Sequence, residues 1–307
     1  MQKIAIIGAG NVGGQIASFL VRECPAHIVL LDVASGLAKG KALDLEDCAS
    51  ILKSDCIIEG SDDFSLLNDA DIIVITAGLA RKPGMTRDDL LKENSKIITE
   101  VSLKIKEFTK NPIVIVVTNP VDLMVYLVSR VTGFDKKRVF GMSVSLDAGR
   151  FANLIRNELD IPVSSVEAVV IASHGQTMVP VASLSKASGA NIGRLMNHEI
   201  IAKLTHATIE RGASIVAHLG SGSSYFGPAA AVLGIIKAIV KDEKRIIGVC
   251  AYLDGEYGVS ELYIGVPARI GKDGVEGIIE LELAEEEKEA FVKSCDSIRQ
   301  QISKLAI

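Results

Sequence analysis

Six side chains in this 307-residue chain have the types and surroundings to do acid–base chemistry on a small anion. His174 stands in Ser173-His174-Gly175, directly after a β-rich apolar run, so the spacing places it in a turn rather than on a helix face. A histidine there can take or give a proton near neutral pH; one that merely completes a turn looks the same in sequence. Asp147 and Arg150 are three apart in a helical pattern and share a face. One reading is a plain intrahelical ion pair. The other has Asp147 orient a distant histidine while Arg150 forks onto a carboxylate, a geometry lysine cannot match. Arg81 and Arg87 belong to the cationic stretch Gly78 to Arg87, punctuated by Pro83 and Gly84. It is either a solvated basic loop or a lid that brings arginine onto an anion and expels water. Asn119, in Thr118-Asn119-Pro120, closes an apolar strand with an amide.

Groups this scattered in sequence can meet only if the fold gathers strand ends, and in open α/β sheets ligands sit beyond the carboxyl ends of the strands. The N-terminal stretch has that character. An apolar strand, Ile4 to Ile7, meets Gly8, Gly10 and Gly13; a helical pattern carries Ile16, Phe19 and Leu20; a second strand, Ile28 to Leu31, ends on Asp32. Gly8 suits the tight turn, Gly10 a close backbone approach to pyrophosphate, and Gly13 close packing of helix on strand. The helix N-terminus holds phosphate charge, and Asp32 is placed to accept from a ribose 2′-OH and repel a 2′-phosphate. With no arginine from Val33 to Leu37, the expected cofactor is NAD rather than NADP. Competing readings of the same turn are a methyl-donor-binding protein and a module that senses NAD without turning it over.

Composition removes several function classes. The net charge of −5 argues against nucleic acid or an anionic membrane as partner. The five cysteines are scattered and contain no Cys-x-x-Cys, which speaks against a disulfide framework or zinc site and for a reducing compartment. His27 opens a strand, while His198, His206 and His218 lie on one long helix without metal-ligand spacing, so no metal is expected. The start of the chain has no signal-peptide character, and Pro228 to Val240 is too short to span a bilayer. The expectation is a cytoplasmic protein.

Strands and helices alternate through Met142, with continuous apolar runs such as Ile72 to Ile75 and Ile113 to Val117 that suit a sheet covered on both faces. The fold class expected is α/β: a Rossmann, doubly wound parallel sheet in residues 1–142, then an α+β substrate domain in residues 143–307. Helices are expected over 37–52, 86–108 (opened by a Thr86–Asp89 capping box), 146–160 and 197–218. Strands are expected over 166–171 and 275–283.

Five ordered motifs carry a resemblance to a known family. They are Gly8-Ala-Gly-Asn-Val-Gly13, Ala77-Gly-Leu-Ala-Arg-Lys-Pro-Gly84, Val117-Thr-Asn-Pro120, Leu146-Asp-Ala-Gly-Arg-Phe151 and His174-Gly-Gln-Thr-Met-Val-Pro180. Together they resemble the lactate/malate dehydrogenase family, in its lactate-dehydrogenase-like malate dehydrogenase branch, over essentially the whole chain. The resemblance implies hydride transfer between NAD and C2 of a hydroxy acid. His174 would be the proton acceptor and donor, Asp147 its orienting carboxylate, and Arg150 the clamp on the C1 carboxylate. Arg87 would polarise the reacting carbonyl and Asn119 would bind its oxygen. Gly8, Ala9, Gly10, Asn11, Val12, Gly13, Asp32, Asn94, Val117 and Asn119 would hold the cofactor. Arg81 stands where lactate enzymes carry glutamine, so it would match a second carboxylate and select malate and oxaloacetate. Lactate or another 2-hydroxy acid is the alternative substrate, and a homodimer or homotetramer is the expected assembly, with an aliphatic helix such as 37–52 available for it. Gln176, where many relatives carry aspartate, removes one negative charge beside the site. Ser143-Val-Ser145 and Gly149 also depart from the usual pattern.

Overall fold

Short strands that are buried along almost their whole length force a sheet with helices on both faces. The computed structural model describes residues 1–79 and 87–305. In it β1 (Lys3–Ile7), α1 (Asn11–Glu23), β2 (His27–Leu31), α2 (Ser35–Leu52), β3 (Ile57–Ser61), β4 (Ile72–Ile75), α3 (Arg87–Phe108), β5 (Ile113–Val116), α4 (Val121–Thr132) and β6 (Val139–Met142) alternate. Arg81 and Thr86 lie outside the described residues, and so does the side chain of Arg87, whose main chain opens α3.

These strands pair in parallel in the order β3-β2-β1-β4-β5-β6, which is the doubly wound order. Order reverses between β1 and β4, opening the crevice at their carboxyl ends. The Gly-rich turn sits there. Gly8 has φ +103° and has the Ala77 main chain against it, and a Cβ on Gly13 would collide with the Gly8 carbonyl oxygen. Helix α1 can lie this close to β1 only without that atom. Gly13→Ala is expected to cost about 1–3 kcal/mol by overpacking, read as a lower thermal midpoint; an unchanged midpoint would show that α1 can shift freely.

The second half comprises α5 (Val144–Leu159), β7 (Val166–Glu167), β8 (Val170–Ala172), β9 (Met178–Pro180), β10 (Lys186–Ala187), β11 (Ala190–Asn191), α6 (His198–Leu219), α7 (Phe226–Val240), β12 (Arg245–Asp254), β13 (Ser260–Gly271), β14 (Gly274–Ile278) and α8 (Glu285–Ile302). The sheet does not stop at Met142. β12 pairs antiparallel with β6 through Val249–Met142 and Cys250–Gly141, and the order continues β12-β13-β8-β9 with β14 on β13. Among the described residues, one sheet of eleven strands therefore runs through both halves.

Two expected strands are corrected. The run 166–171 is split: β7 joins β10 and β11 in a small separate sheet, while β8 joins the large one. The break falls at Val169, whose N–H is taken by the Ser185 hydroxyl at 3.1 Å. The strand expected to reach Leu283 ends at Ile278, because the Tyr257 hydroxyl takes over the chain beyond it. That hydroxyl donates to Ile279 O at 2.8 Å and accepts from Leu281 N at 3.1 Å.

Candidate active site

Three groups on two elements build the centre of the site. β8 ends at Ala172, and a turn with positive φ at Ala172 (+74°) and Gly175 (+137°) projects His174 beyond the strand end. Asp147 lies in the first turn of α5, and Arg150 one turn further along the same face. The Asp147 carboxylate bridges them. Its Oδ2 lies 2.7 Å from His174 Nδ1 and its Oδ1 accepts from Arg150 Nη1 at 3.0 Å. The Asp147 side chain is fully buried, with 13% of the His174 and 11% of the Arg150 side chains exposed. The Asp147–Arg150 pair is an intrahelical ion pair, as the first reading has it, and the same carboxylate also reaches a histidine 27 residues away.

Burial alone would push the His174 pKa down. The charge and hydrogen bond of Asp147, together with the charge of Asp122, outweigh burial and the opposing Arg150 guanidinium, so the imidazole titrates above the ordinary histidine value. Nδ1 is committed to Asp147, which leaves Nε2 as the nitrogen able to exchange a proton with a ligand. Arg150 Nη2 also lies 3.5 Å from the Ser224 hydroxyl, and Gly212 of α6 brings bare backbone close to the guanidinium.

Asn119 and Asn94 shape the neighbouring strand end. The Asn119 side-chain oxygen accepts from Val121 N at 3.3 Å, which leaves its amide N–H groups able to donate to a ligand oxygen. Asn94, 1% exposed, uses its side-chain oxygen on Leu79 N at 2.8 Å and its amide on Asn119 O at 2.7 Å. It ties two loops together and spends its polar atoms on main chain. Val117 is buried at the end of β5.

At the Gly-rich turn, α1 carries no side-chain cap and no acid in its first turn. The N–H groups of Asn11, Val12 and Gly13 begin the helix without helical partners, which makes an anion site. Space beside Gly10 is open: a Cβ there would touch nothing within 4 Å. Asp32, just past β2, accepts from Ala9 N at 2.7 Å and Ala34 N at 2.9 Å, and each carboxylate oxygen keeps a lone pair for a ribose hydroxyl.

Four contributors were not singled out from sequence. Lys41 of α2 donates to Gly10 O at 2.8 Å, setting a cation beside the phosphate turn. Ser224 adjoins Arg150. Gln176 donates to Glu210 of α6 at 3.2 Å, so a carboxylate from another element stands beside the turn where Gln176 lacks one. Asp122, buried in α4, accepts from Ser173 and His174. Only Asp122 left a trace in sequence, as an acid embedded in Val121-Asp-Leu-Met-Val.

Residues 2–141 match the family described as lactate/malate dehydrogenase, NAD binding domain, and residues 144–306 match its alpha/beta C-terminal domain. The chain belongs to the lactate/malate dehydrogenase family. It is 47% identical to a malate dehydrogenase of Methanosarcina acetivorans over 100% of both chains. Its backbone is similar to the crystal structure of Cryptosporidium parvum malate dehydrogenase, with TM-score 0.96, 36% identity and 99% of each chain covered. It is also similar to a lactate dehydrogenase from the same organism complexed with lactic acid and nicotinamide adenine dinucleotide, with TM-score 0.95, 34% identity and 98% and 97% covered. NAD is the cofactor of this lactate/malate dehydrogenase-family chain, and the open Gly10 cradle, the uncapped α1 and Asp32 fit it.

Proposed function

We propose that this chain interconverts (S)-malate and oxaloacetate as an NAD-dependent malate dehydrogenase, with His174 as the proton-transfer group. The observation that carries the reading is the buried Asp147 carboxylate, held between the His174 imidazole at 2.7 Å and the Arg150 guanidinium at 3.0 Å. When bound, NAD supplies a hydride acceptor in one direction and donor in the other. The protein supplies position and charge. The N–H groups of Asn11, Val12 and Gly13 would hold the pyrophosphate, with Lys41 nearby, and Asp32 would accept from the adenosine ribose. Arg150 clamps the C1 carboxylate in a forked pair, and the Asn119 amide donates to the C2 oxygen. His174 Nε2 takes the C2 hydroxyl proton as malate is oxidised and returns it as oxaloacetate is reduced. Asp147 steadies the imidazolium formed between those events. Arg87 would polarise the C2 carbonyl, and Arg81 would pair with the C4 carboxylate.

The test is initial-rate kinetics with oxaloacetate and pyruvate, each with NADH and NADPH. Oxaloacetate with NADH should be turned over fastest. Faster pyruvate reduction would replace malate with lactate, and faster NADPH turnover would remove the role given to Asp32.

Self-association as a dimer or tetramer belongs to the same proposal. Helix α2 buries Ala38, Ala42, Leu45 and Ala49 but leaves Leu43 63% and Ile51 79% exposed, an apolar face suited to another copy. Sedimentation at micromolar concentration should give a multiple of the 32.6 kDa protomer; a lone protomer would refute it. Five free cysteines support residence in a reducing, cytoplasmic compartment, and among the described residues no helix is long and apolar enough to cross a membrane.

A further inference from the structure

Asp122 is a buried acid that the proton transfer does not use. It lies in the first turn of α4, three residues after Asn119, where the helix dipole favours a carboxylate while burial raises its pKa. Its Oδ2 accepts from the Ser173 hydroxyl at 2.8 Å and from the His174 main-chain N–H at 3.1 Å. Its Oδ1 is buried, and the Cys250 thiol of β12 lies against the carboxylate. The same turn is also held by α8: Ser294 Oγ accepts from Ser173 N at 3.2 Å and donates to Thr177 Oγ1 at 3.0 Å. A carboxyl costs more to bury than an apolar side chain of equal size unless its bonds matter.

We propose that Asp122 is a positioning residue for the reaction: by gripping the Ser173 hydroxyl and the His174 amide, it fixes where the imidazole stands relative to Asn119. Substrate oxygen and general acid must meet at hydrogen-bond distance. Asn119, from which that oxygen would be held, and Asp122, from which the histidine is hung, lie three residues apart where α4 begins. The spacing between donor and acid is therefore set by one stretch of backbone, although His174 belongs to the other half of the sequence. Asp147 sets the orientation of the ring, and Asp122 sets the location of the backbone that carries it.

This inference rests on His174 being the proton-transfer group, so its test includes a readout independent of turnover. In Asp122→Leu both donors lose their acceptor; in Asp122→Asn the amide oxygen can still accept from both. Asp122→Leu should lower kcat for oxaloacetate reduction about 10²-fold, the scale of an ångström misplacement, with NADH affinity by fluorescence changed less than about twofold. Asp122→Asn should recover most of that loss. In protein labelled with ¹⁵N-histidine, the His174 Nδ1–H resonance marks the bond to Asp147; it should persist in the wild type and in Asp122→Asn and broaden or shift in Asp122→Leu. If Asp122→Leu does not fold, Ser173→Ala removes one of the two bonds and should cost about fivefold in kcat. The positioning role is overturned if Asp122→Leu keeps wild-type kcat and His174 resonance, or if Asp122→Asn falls as far as Asp122→Leu. It is also overturned if Asp122→Leu fails to fold and Ser173→Ala leaves kcat unchanged. Absence of oxaloacetate-dependent NADH oxidation in the wild type would instead overturn the proposed function, while the resonance would still report the grip on His174.

Discussion

Replacing His174 with asparagine should lower oxaloacetate reduction by about 10²–10⁴-fold, the usual contribution of a positioned general acid. Asparagine can keep a hydrogen bond but has no proton to donate near neutral pH. NADH binding should survive, because the Gly-rich turn and Asp32 are on other elements. The pH dependence of the wild type has a definite sign. Burial lowers the His174 pKa, but the Asp147 charge and hydrogen bond, with a further contribution from Asp122, more than offset it and the net shift is upward. Reduction needs the protonated imidazole, so kcat/KM for oxaloacetate should hold through neutral pH and fall as pH rises through the raised pKa. Malate oxidation should rise over the same interval. The linked stability has the same direction: the Asp147–His174 pair stabilises the fold fully below the unfolded histidine pKa of about 6.5, and that increment is lost as pH passes the folded value. Equal kcat in His174→Asn, or a reduction rate that climbs through that interval, would remove His174 from the reaction.

Arg81→Gln should have an effect of similar size on substrate choice rather than on rate. A guanidinium desolvated in a closed site is matched only when a second carboxylate arrives. A site built around a buried polar partner rejects the analogue lacking it by as much as about 10⁴-fold. Exchanging Arg81 for an uncharged amide should therefore shift the ratio of kcat/KM for oxaloacetate over pyruvate by several orders of magnitude towards pyruvate. An unchanged ratio would strip Arg81 of its role. The backbone cannot make this choice, since the chain is as similar to a lactate dehydrogenase structure (TM-score 0.95) as to a malate dehydrogenase structure (0.96). Side chains at a few positions must decide it.

Much of this was legible in the sequence because the physics there is local. Three glycines between a strand and a helix, followed by an acid at the next strand end, leave few foldings open. The continuous apolar runs of β1, β4 and β5 likewise require a sheet covered on both sides. Asp147 and Arg150 announce a shared face by spacing alone. The bond from Asp147 to His174 could not be read that way, since no short-range pattern reports a contact spanning 27 residues; the resemblance suggested it. The main-chain partners of the Asn94 amide, Leu79 and Asn119, were not legible either, since amide orientation leaves no periodicity. Gln176 suggested a missing charge, but Glu210 comes from a helix whose approach is set by tertiary packing. The split at Val169 depends on a hydroxyl sixteen residues away.

The β6–β12 pairing has a mechanical consequence. Where the cofactor and substrate halves of an enzyme are joined only by a linker, they can swing apart between catalytic cycles. Here Met142 and Gly141 share a ladder with Val249 and Cys250, so any such swing would have to unzip the interior of a sheet. The two halves are therefore stitched together by main-chain hydrogen bonds as well as by the connecting chain.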